Sequence, residues 1–467
     1  MAIPITPPEF DPALIARYDV AGPRYTSYPT APQFKADFDE AALREVIRAS
    51  NEEPIPRPLS LYVHVPFCMS PCFYCGCNRV ITRDVTQADR YLERLYREIE
   101  LIAPLFDRDR PVRQLHFGGG TPNFLTPAQI AEVMDVLRRH FSFAAPARLD
   151  CSIELDPRFI TPDEVGALAA AGFNRASLGV QDFDPEVQRA VNRIQSVEQT
   201  LAIIDACRTH GLQSVNVDLI YGLPKQSLEG FSRTLDITLE ARPDRLAIYS
   251  YAHLPSMFRP QQRINAEDLP SPEVKLGLLQ FAIDKLGEAG YVYIGMDHFA
   301  LPGDSLAQAQ QRGDLHRNFM GYTTHAESDL VGLGVSAISH IGPSFSQNPR
   351  DLGSWEQAID QGRLPVWRGM RLEEDDVIRA DVIQQLMCHG TLDYRDLGRR
   401  HVIEFTTYFA DALQRLRPLQ DDGLVELRPD GLQTTSRGRM LLRIIAMCFD
   451  RYLPTAAAST PRFSRTV

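Results

Sequence analysis

Short apolar runs alternate with helix-like stretches between residues 61 and 251 of this 467-residue chain. Each run is rich in β-branched or aromatic residues, which is typical of a buried strand. The runs are LYVHV (61–65), QLHF (114–117), LDCSIEL (149–155), RASLGV (175–180), SVNVDLI (214–220) and RLAIYSY (245–251). Six strand–helix units in series predict a parallel sheet with helices outside it. We therefore expect an α/β fold built as a partial (β/α)6 barrel of the TIM type.

The residues that end these runs form a second pattern. In chain order they read HVPFC, FGGGTPN, ELDPR, GVQDF, YGLP and YAHLP. Glycine and proline also end strands for geometric reasons, so one such ending alone indicates little. Barrels of this kind carry their active sites at the carboxyl ends of the strands. Six polar or glycine- and proline-containing endings together favour an active site at that end.

Composition changes along the chain and suggests four parts. Residues 1–55 contain many prolines and aromatic residues and could fold over the barrel mouth as a lid. Residues 56–370 hold the strand–helix units and form the expected catalytic domain. Residues 371–455 are mainly helical in pattern, with a hairpin-like piece, LVELRPDGLQTT, and predict a separate C-terminal helical domain. Residues 456–467 are expected to be a frayed tail.

Bulk composition limits the class of protein. Hydrophobic residues make up 44% of the chain and charged residues 23%, the proportions of a soluble globular protein. The formal net charge of −11 argues against general nucleic-acid binding. The sequence has no leader-like start and no run long enough to span a bilayer. We expect a cytoplasmic protein with neither a nucleic-acid nor a membrane partner.

Four of the eight cysteines lie in the stretch CMSPCFYCGCN, residues 68–78. In a reducing compartment such a cluster favours metal binding over disulfides. Structural zinc usually takes two separated CxxC pairs, whereas this spacing is a single compact CxxxCxxCxC. A [4Fe-4S] cluster held only by Cys68, Cys72 and Cys75 would leave one iron open for a small molecule. The spacing favours an iron–sulfur cluster, and a structural zinc module without a redox role is the alternative.

The signature CxxxCxxC with an aromatic residue, Tyr74, before its last cysteine resembles that of the radical S-adenosylmethionine (SAM) superfamily. Nearly the whole chain is similar to the oxygen-independent coproporphyrinogen III oxidase (dehydrogenase) family. The segments that carry this resemblance are PRYTSYPTAPQF, YVHVPFC, CFYCGCN, FGGGTP, SIELDPR, SLGVQDF, AVNRIQ, NVDLIYGLP, YAHLP, RNFMGYTTH and GVSAIS. The related heme chaperones generally lack PRYTSYPTA and carry CxYCDF where this chain has CGCN.

The resemblance implies a barrel of the radical SAM kind and a complete reaction. Cys68, Cys72 and Cys75 would bind the [4Fe-4S] cluster, and the amino and carboxylate groups of SAM would bind its fourth iron. Reduction by an electron donor such as flavodoxin or ferredoxin would then yield a 5'-deoxyadenosyl radical. This radical would start the decarboxylation of two propionates of coproporphyrinogen III to vinyl groups, giving protoporphyrinogen IX in heme biosynthesis. Members of the family are usually monomers.

The resemblance also implies two bound SAM molecules with separate contact sets. The first set is Tyr62, Gly119, Glu154 and Ile338, and the second is Tyr74, Gly120, Thr121, Gln181, Arg193, Asp218 and Ala252. Carboxylates suit an ammonium group or ribose hydroxyls, an arginine suits a carboxylate, and glycines let backbone N–H groups reach the cofactor. Cys77 lies outside the cluster ligands, and the family implies that it is necessary for activity.

Two residues depart from the family pattern. Met320 stands where the family usually has glutamine in RNFQGYTT, and Tyr74 stands in place of phenylalanine. Loss of the amide at position 320 removes a polar contact and keeps an alternative function open. In that alternative, the same scaffold binds or delivers heme without decarboxylating a substrate. Arg24, in the N-terminal segment, is a candidate contact for a substrate propionate.

Overall fold

The computed structural model describes residues 8–453, so the predicted tail, 456–467, lies outside the described residues. The chain forms two compact units. The first, here called the barrel unit, contains residues 34–278 and 327–371. The second, the helical unit, contains residues 279–326 and the described residues of 1–33 and 372–467. The four-part division drawn from the sequence stays a prediction, because compactness alone does not define a part that folds independently.

The strands are numbered here in chain order. They are β1 (Leu59–Val65), β2 (Phe67–Cys68), β3 (Val80–Ile81), β4 (Val112–Gly119), β5 (Asp150–Leu155), β6 (Arg175–Gln181), β7 (Ser214–Tyr221), β8 (Arg245–Ser250), β9 (Val292–Gly295), β10 (His298–Ala300), β11 (His316–Asn318), β12 (Gly321–Thr323), β13 (Asp329–Leu333), β14 (Ile338–His340), β15 (Ser344–Gln347), β16 (Arg368–Arg371), β17 (Thr391–Asp393), β18 (Val425–Arg428) and β19 (Gly431–Thr434).

The α-helices are numbered in the same way. They are α1 (Pro12–Tyr18), α2 (Glu40–Asn51), α3 (Thr86–Ile102), α4 (Pro127–His140), α5 (Pro162–Ala171), α6 (Pro185–Ala190), α7 (Val197–Thr209), α8 (Leu228–Ala241), α9 (Pro272–Glu288), α10 (Ser305–Arg312), α11 (Leu352–Asp360), α12 (Glu374–His389), α13 (Tyr394–His401), α14 (Phe405–Tyr408), α15 (Ala410–Asp421) and α16 (Leu442–Met447).

The sheet of the barrel unit is built on the six predicted strands. Its strand order is β16-β15-β14-β13-β1-β4-β5-β6-β7-β8. The strands from β13 to β8 pair in parallel, and β14, β15 and β16 add in antiparallel fashion. The six apolar runs correspond to β1 and β4 to β8, which confirms the α/β partial barrel. The extension from β13 to β16 had no counterpart in the sequence analysis.

Helix starts in the barrel unit follow the local sequence. Thr126 and Thr161 each form a capping box with the residue three positions later, Gln129 and Glu164, and a proline opens both helices. These contacts satisfy backbone N–H groups that have no partner within the helix. Gly172 ends α5 with φ of 109°, a left-handed conformation that favours glycine. The helix boundaries are therefore largely set by short-range sequence.

The core lies between this sheet and its helices. Leu61, Val63 and Val65 of β1 are fully buried, as are Leu95 and Ile99 of α3. Burying one such side chain contributes about 1.5–3 kcal/mol. The continuous apolar runs predicted from the sequence are thus explained by strands covered on both faces.

The helical unit has its own core, which confirms the predicted C-terminal helical domain of the fold. Its helices pack with a small antiparallel sheet of order β17-β19-β18, and the hairpin-like piece supplies β18 and β19. Residues 8–33 of the N-terminal segment belong to the same unit, where the hydroxyl of Tyr25 donates to Asp450 at 2.9 Å, whereas residues 34–55 belong to the barrel unit. Arg24 forms an ion pair with Asp297 in the helical unit. The lid role of this segment stays a prediction.

Among residues 8–453, no helix has both the length and the apolar character that crossing a membrane requires.

Candidate active site

Cys68 ends strand β2, and Cys72, Cys75 and Cys77 lie on the loop that follows, residues 69–79, which is closed at its base. Strands β2 and β3 flank the loop and pair with each other in parallel. Arg79 donates to three carbonyl oxygens of the loop, those of Cys72 (3.4 Å), Cys75 (3.3 Å) and Cys77 (3.2 Å). Strand pairing and one guanidinium therefore hold the loop in a compact turn.

Each of the three predicted ligand thiols has a hydrogen-bonding neighbour. The pairs are Cys68 Sγ with Thr121 Oγ1 at 3.3 Å, Cys72 Sγ with Arg193 Nη1 at 3.6 Å, and Cys75 Sγ with the backbone N–H of Cys77 at 3.4 Å. Donors to sulfur stabilise thiolates, and they also influence the reduction potential of a bound iron–sulfur cluster. The surroundings of these sulfurs fit metal-binding thiolates.

The thiols differ in acidity. A hydrogen bond from the thiol of Cys77 lowers the pKa of Cys75 to about 6, and the positive charge of Arg79 adds to the effect. Burial raises the pKa of Cys68 to about 11. The same contact with Cys75 raises the pKa of Cys77 well above its usual value. Among Cys68, Cys75 and Cys77, the thiol of Cys75 is therefore the most readily ionised at neutral pH.

The glycines after β4 allow close approach of two backbone segments. A Cβ atom at Gly119 would lie 2.6 Å from the imidazole of His64, and one at Gly120 would lie 2.7 Å from the carbonyl oxygen of Pro66. The N–H groups of Gly119, Gly120 and Thr121 donate to Glu154, Val65 and Phe67, respectively. These three N–H groups have acceptors within the protein, and the expectation that they reach the cofactor stays a prediction. The glycines act by removing side-chain bulk.

Two carboxylates face the same space from β5 and β7. Glu154 contacts Nε2 of His116 at 3.2 Å and accepts from the N–H of Gly119 at 3.3 Å. Asp218 accepts from Ser177 at 3.1 Å and from Asn216 at 2.8 Å. Burial raises the pKa of Asp218 to about 6, and the charge of Glu154 adds to the shift. Both hydrogen-bond donors to Asp218 are neutral, and the charge of Arg193 partly offsets the rise in its pKa.

Arg193 is buried beside these groups. Its Nη1 atom lies 3.0 Å from Asp156 Oδ2, and its Nε atom has no hydrogen-bond partner in the described part of the chain. Arg158 also binds Asp156, at 2.7 Å. Although burial opposes it, the two guanidinium groups hold the pKa of Asp156 below its usual range. Together, Arg193, Arg158 and Asp156 carry a net positive charge at the cavity wall.

Strand β6 ends irregularly at the cavity. The pairing of β6 with β7 shifts register between Gly179 and Gln181. Gln181 has φ of 72°, which costs a non-glycine residue about 1–3 kcal/mol. Irregular strand ends of this kind re-aim a side chain and are common beside active sites.

One cavity at the carboxyl ends of the strands collects most of the predicted residues. Those that line it are Cys68, Cys72, Tyr74, Cys75, Cys77, Gly119, Gly120, Thr121, Glu154, Gln181, Arg193 and Asp218. The predicted contacts Tyr62, Ala252 and Ile338 are not part of its lining. Ala252 is held close to the cysteine loop, since Gln261 donates to the carbonyl oxygens of both Ala252 and Tyr74.

Tyr62 and His64 form a linked pair at the end of β1. Nε2 of His64 lies 3.1 Å from the backbone carbonyl oxygen of Asn78. Because a carbonyl oxygen can only accept, Nε2 is the donor. Burial lowers the pKa of His64 and keeps the ring neutral, so its Nδ1 accepts from the hydroxyl of Tyr62, at 3.1 Å. His64 therefore connects the end of β1 with the cysteine loop.

Among the cavity residues that the sequence analysis missed, four hydrogen-bond through their side chains to the cysteine loop or to the charged groups of the site. They are Arg79, Asp156, Arg158 and Ser177. Asp156 and Arg158 lie in the strand ending ELDPR, so the position after β5 was a usable signal. Arg79 follows the last cysteine by two residues, and its role depends on a loop shape that spacing does not reveal.

The residues present fit an iron–sulfur cluster with SAM. In residues 8–453, no three histidine, cysteine or acidic side chains are grouped to hold a single metal ion. In a [4Fe-4S] cluster each thiol binds a separate iron, so three spaced thiols suit it. The orphaned Nε of Arg193, the charge of Asp218 and the glycine cradle suit an amino acid group beside the cluster.

Comparison with known proteins gives two family matches. Residues 62–237 match the Radical SAM superfamily, and residues 372–441 match the HemN C-terminal domain. The oxygen-independent coproporphyrinogen III oxidase of Pseudomonas aeruginosa is 51% identical, over 98% of this chain and 99% of its own length. That of Escherichia coli is 50% identical, over 98% and 99%.

A solved structure agrees with these matches. Coproporphyrinogen III oxidase (HemN) from Escherichia coli, a radical SAM enzyme, superposes with a TM-score of 0.91 at 49% identity, over 96% of this chain and 100% of that one. The predicted barrel of the radical SAM kind is confirmed. By identity, coverage and fold, the chain belongs to the oxygen-independent coproporphyrinogen III oxidase family of the radical SAM superfamily.

Proposed function

We propose that this protein is an oxidoreductase that converts coproporphyrinogen III to protoporphyrinogen IX without oxygen, in heme biosynthesis. Two propionate side chains each lose a hydrogen atom from the β-carbon, carbon dioxide and one electron, and become vinyl groups. The observation that carries the proposal is the cavity with three thiols at the strand ends. The chain that forms it is 51% and 50% identical to two oxygen-independent coproporphyrinogen III oxidases over 98% of its length. This identity disfavours the heme-delivery alternative.

Cys68, Cys72 and Cys75 are the residues that would hold the [4Fe-4S] cluster. With SAM bound and one electron supplied, the cluster provides a carbon-centred radical able to take a hydrogen atom from the propionate. Arg193 and Arg158 lie 3.6 and 3.8 Å from Cys72 Sγ and neutralise part of the negative charge of the thiolates.

The protein's own groups would bind and orient SAM. Glu154 and Asp218 accept from its ammonium group or ribose hydroxyls, and Arg193 offers its free Nε to a carboxylate. For two molecules, the first contact set remains Tyr62, Gly119, Glu154 and Ile338. The second remains Tyr74, Gly120, Thr121, Gln181, Arg193, Asp218 and Ala252.

Cys77 is assigned to the reaction itself. Its side chain lines the cavity and lies beside Cys75, outside the three-ligand set. Contact with Cys75 raises the pKa of this thiol well above its usual value.

The partners of the reaction are assigned by chemistry. The electron comes from a small one-electron carrier protein such as flavodoxin or ferredoxin. The enzyme acts as a cytoplasmic monomer. Sedimentation of the purified protein and reduction of its cluster by each carrier test these assignments.

The decisive experiment is anaerobic. The protein is reconstituted with iron and sulfide, mixed with dithionite, SAM and coproporphyrinogen III, and followed for porphyrin products and 5'-deoxyadenosine. We expect protoporphyrinogen with about two SAM cleaved per substrate, one for each propionate. Deoxyadenosine without the tetrapyrrole product would reject the substrate, and heme retention with neither product would favour delivery. Cys75→Ser is expected to abolish both products, whereas Cys207→Ser, at a buried position on α7, is the matched control.

A further inference from the structure

A buried carboxylate outside the cavity, that of Glu98 in α3, has only neutral partners in the described residues. Its side chain is 1% exposed. It accepts from the N–H of Gly334 at 2.7 Å, from Nδ2 of Asn348 at 2.7 Å and from Nε1 of Trp355 at 3.2 Å. Burial raises its pKa to about 7. An acid without a cation is costly in the interior, so its presence points to a role that an apolar side chain would not fill.

The carboxylate holds the turn that follows β13. Gly334 has φ of 92°, and a Cβ atom there would lie 2.8 Å from the carbonyl oxygen of His64. Tyr91 stands seven residues before Glu98 on the same face of α3. Its hydroxyl donates to that carbonyl oxygen at 2.6 Å and accepts from the N–H of Val335 at 3.3 Å. Two side chains of α3 therefore fix the turn against the end of β1.

This turn determines where Ile338 stands. Ile338 is the first residue of β14, four positions after Gly334. Within the turn, the carbonyl oxygen of Gly334 accepts from the N–H of Ala337 at 3.3 Å and from Nδ2 of Asn348 at 2.8 Å. Asn348 thus binds Glu98 and the turn with one amide group. Movement of the turn would displace Ile338, a proposed contact of SAM.

A second branch reaches the cysteine loop. Two residues after Asn348, the carbonyl oxygen of Arg350 accepts from Nδ2 of Asn78 at 2.9 Å. Asn78 follows Cys77 and accepts from His64 through its own carbonyl oxygen. The segment that Glu98 anchors is therefore joined on one side to Ile338 and on the other to the loop that carries the thiols.

We propose that Glu98 is a positioning residue for SAM binding, an inference that rests on the proposed function. Its carboxylate fixes the turn after β13 and the segment around Asn348. These two elements in turn place Ile338 and the cysteine loop. Glu98 itself does not touch the cofactor.

The test compares three variants of the reconstituted full-length protein. Glu98→Ala removes all the acceptors, while Glu98→Gln keeps the volume and one acceptor oxygen for the N–H groups of Gly334 and Trp355. Asp329→Asn is the control, because Asp329 is a buried acid at the opposite end of β13, 2% exposed and bound to Arg110. The measurements are iron content, the Kd of SAM by equilibrium dialysis, and hydrogen–deuterium exchange of residues 334–338.

Glu98→Ala is expected to weaken SAM binding by about tenfold at unchanged iron content. Glu98→Gln is expected to stay within about twofold of the wild-type Kd, and so is Asp329→Asn. Amide exchange at Gly334 and Val335 accelerates only in Glu98→Ala. A wild-type Kd in folded Glu98→Ala, or equal weakening in Asp329→Asn, would overturn the inference, because the second result reflects general destabilisation.

Should Glu98→Ala not fold, Asn348→Ala takes its place, since it removes one donor to Glu98 and the bond to Gly334. Its expected loss in SAM affinity is about threefold, and an unchanged Kd would overturn the inference. Conversion of coproporphyrinogen III by the wild type is measured in the same preparation. If the wild type fails to convert coproporphyrinogen III, the proposed reaction is rejected. The role of Glu98 is judged only from the Kd of SAM in the variants.

Discussion

Two buried arginines, Arg110 and Arg193, occupy opposite ends of the parallel sheet and differ in how completely they are paired. Arg110 lies at the amino end and is 2% exposed. Its guanidinium donates to four oxygens: the backbone carbonyl of Arg57 at 2.8 Å, Oγ of Ser50 at 2.9 Å, Oδ1 of Asn51 at 2.8 Å and Oδ2 of Asp329 at 2.6 Å. Each nitrogen has an acceptor, so this site is closed.

Arg193, at the carboxyl end, is 6% exposed but keeps Nε without a partner in the described chain. Its other nitrogens meet Asp156, Gly179 and a thiol, that of Cys72. The two residues have the same charge and nearly the same burial. The difference teaches that complete pairing marks a structural charge, whereas a buried donor left over beside a cavity marks a charge reserved for a ligand.

The largest effect is expected on stability, from a change at the closed site of Arg110. Arg110→Leu leaves Asp329 buried without its cation, which costs about 3–5 kcal/mol in the free energy of unfolding. The kcat/KM of the folded protein should stay within about twofold of wild type, because the amino end is remote from the cavity. Urea unfolding and the anaerobic assay measure the two quantities. A large loss of kcat/KM with little loss of stability would break the comparison.

Arg193, whose Nε is left for a ligand, defines an open site, and its loss should lower activity more than stability. Arg193→Met is expected to lower kcat/KM by about 100-fold, equivalent to about 2.7 kcal/mol of transition-state binding. Stability should fall by less than in Arg110→Leu, because Asp156 keeps its 2.7 Å ion pair with Arg158. Arg175→Met is the control, since Arg175 binds Asp150 at the start of β6. If Arg193→Met lowers stability as much as Arg110→Leu does and leaves the kcat/KM of the folded protein intact, the distinction fails.

A pH titration sharpens the comparison at the open end. Because the pKa of Asp218 is raised to about 6, this carboxylate is ionised at pH 7 and mostly protonated at pH 5. A protonated acid no longer attracts an ammonium group, so SAM affinity should fall by about tenfold between pH 7 and pH 5. In Asp218→Asn the affinity should be weak at both pH values. A wild-type profile flat across this window would count against the role of Asp218.

The smallest effect is expected at Met320. Its side chain is half-buried in the turn between β11 and β12, where its backbone N–H donates to Asn318 at 2.9 Å. Met320→Gln adds an amide and keeps the backbone hydrogen bond to Asn318. We expect kcat/KM to rise by less than about threefold and stability to change by less than about 0.5 kcal/mol. A rise of a hundredfold would make position 320 a major determinant of turnover.

Sequence patterns predicted the six strands and the thiol spacing because both depend on near neighbours in the chain. The later strands β13 to β16 escaped detection, since they are three to five residues long and show little periodicity. Charged pairs such as Arg193 with Asp156 join segments 37 positions apart, and spacing alone does not reveal them. Glu98 left a signal, because it is an acid on the apolar face of the amphipathic helix α3.

The closed cysteine loop bears on the order of assembly. Many small metal-binding domains are unfolded until the metal arrives, because their ligands supply the main links between segments. Here the pairing of β2 with β3 and the contacts of Arg79 supply those links from the polypeptide itself. We therefore expect the chain to reach its folded shape first and to receive the inorganic cluster afterwards, as a preformed acceptor for the cell's iron–sulfur delivery proteins.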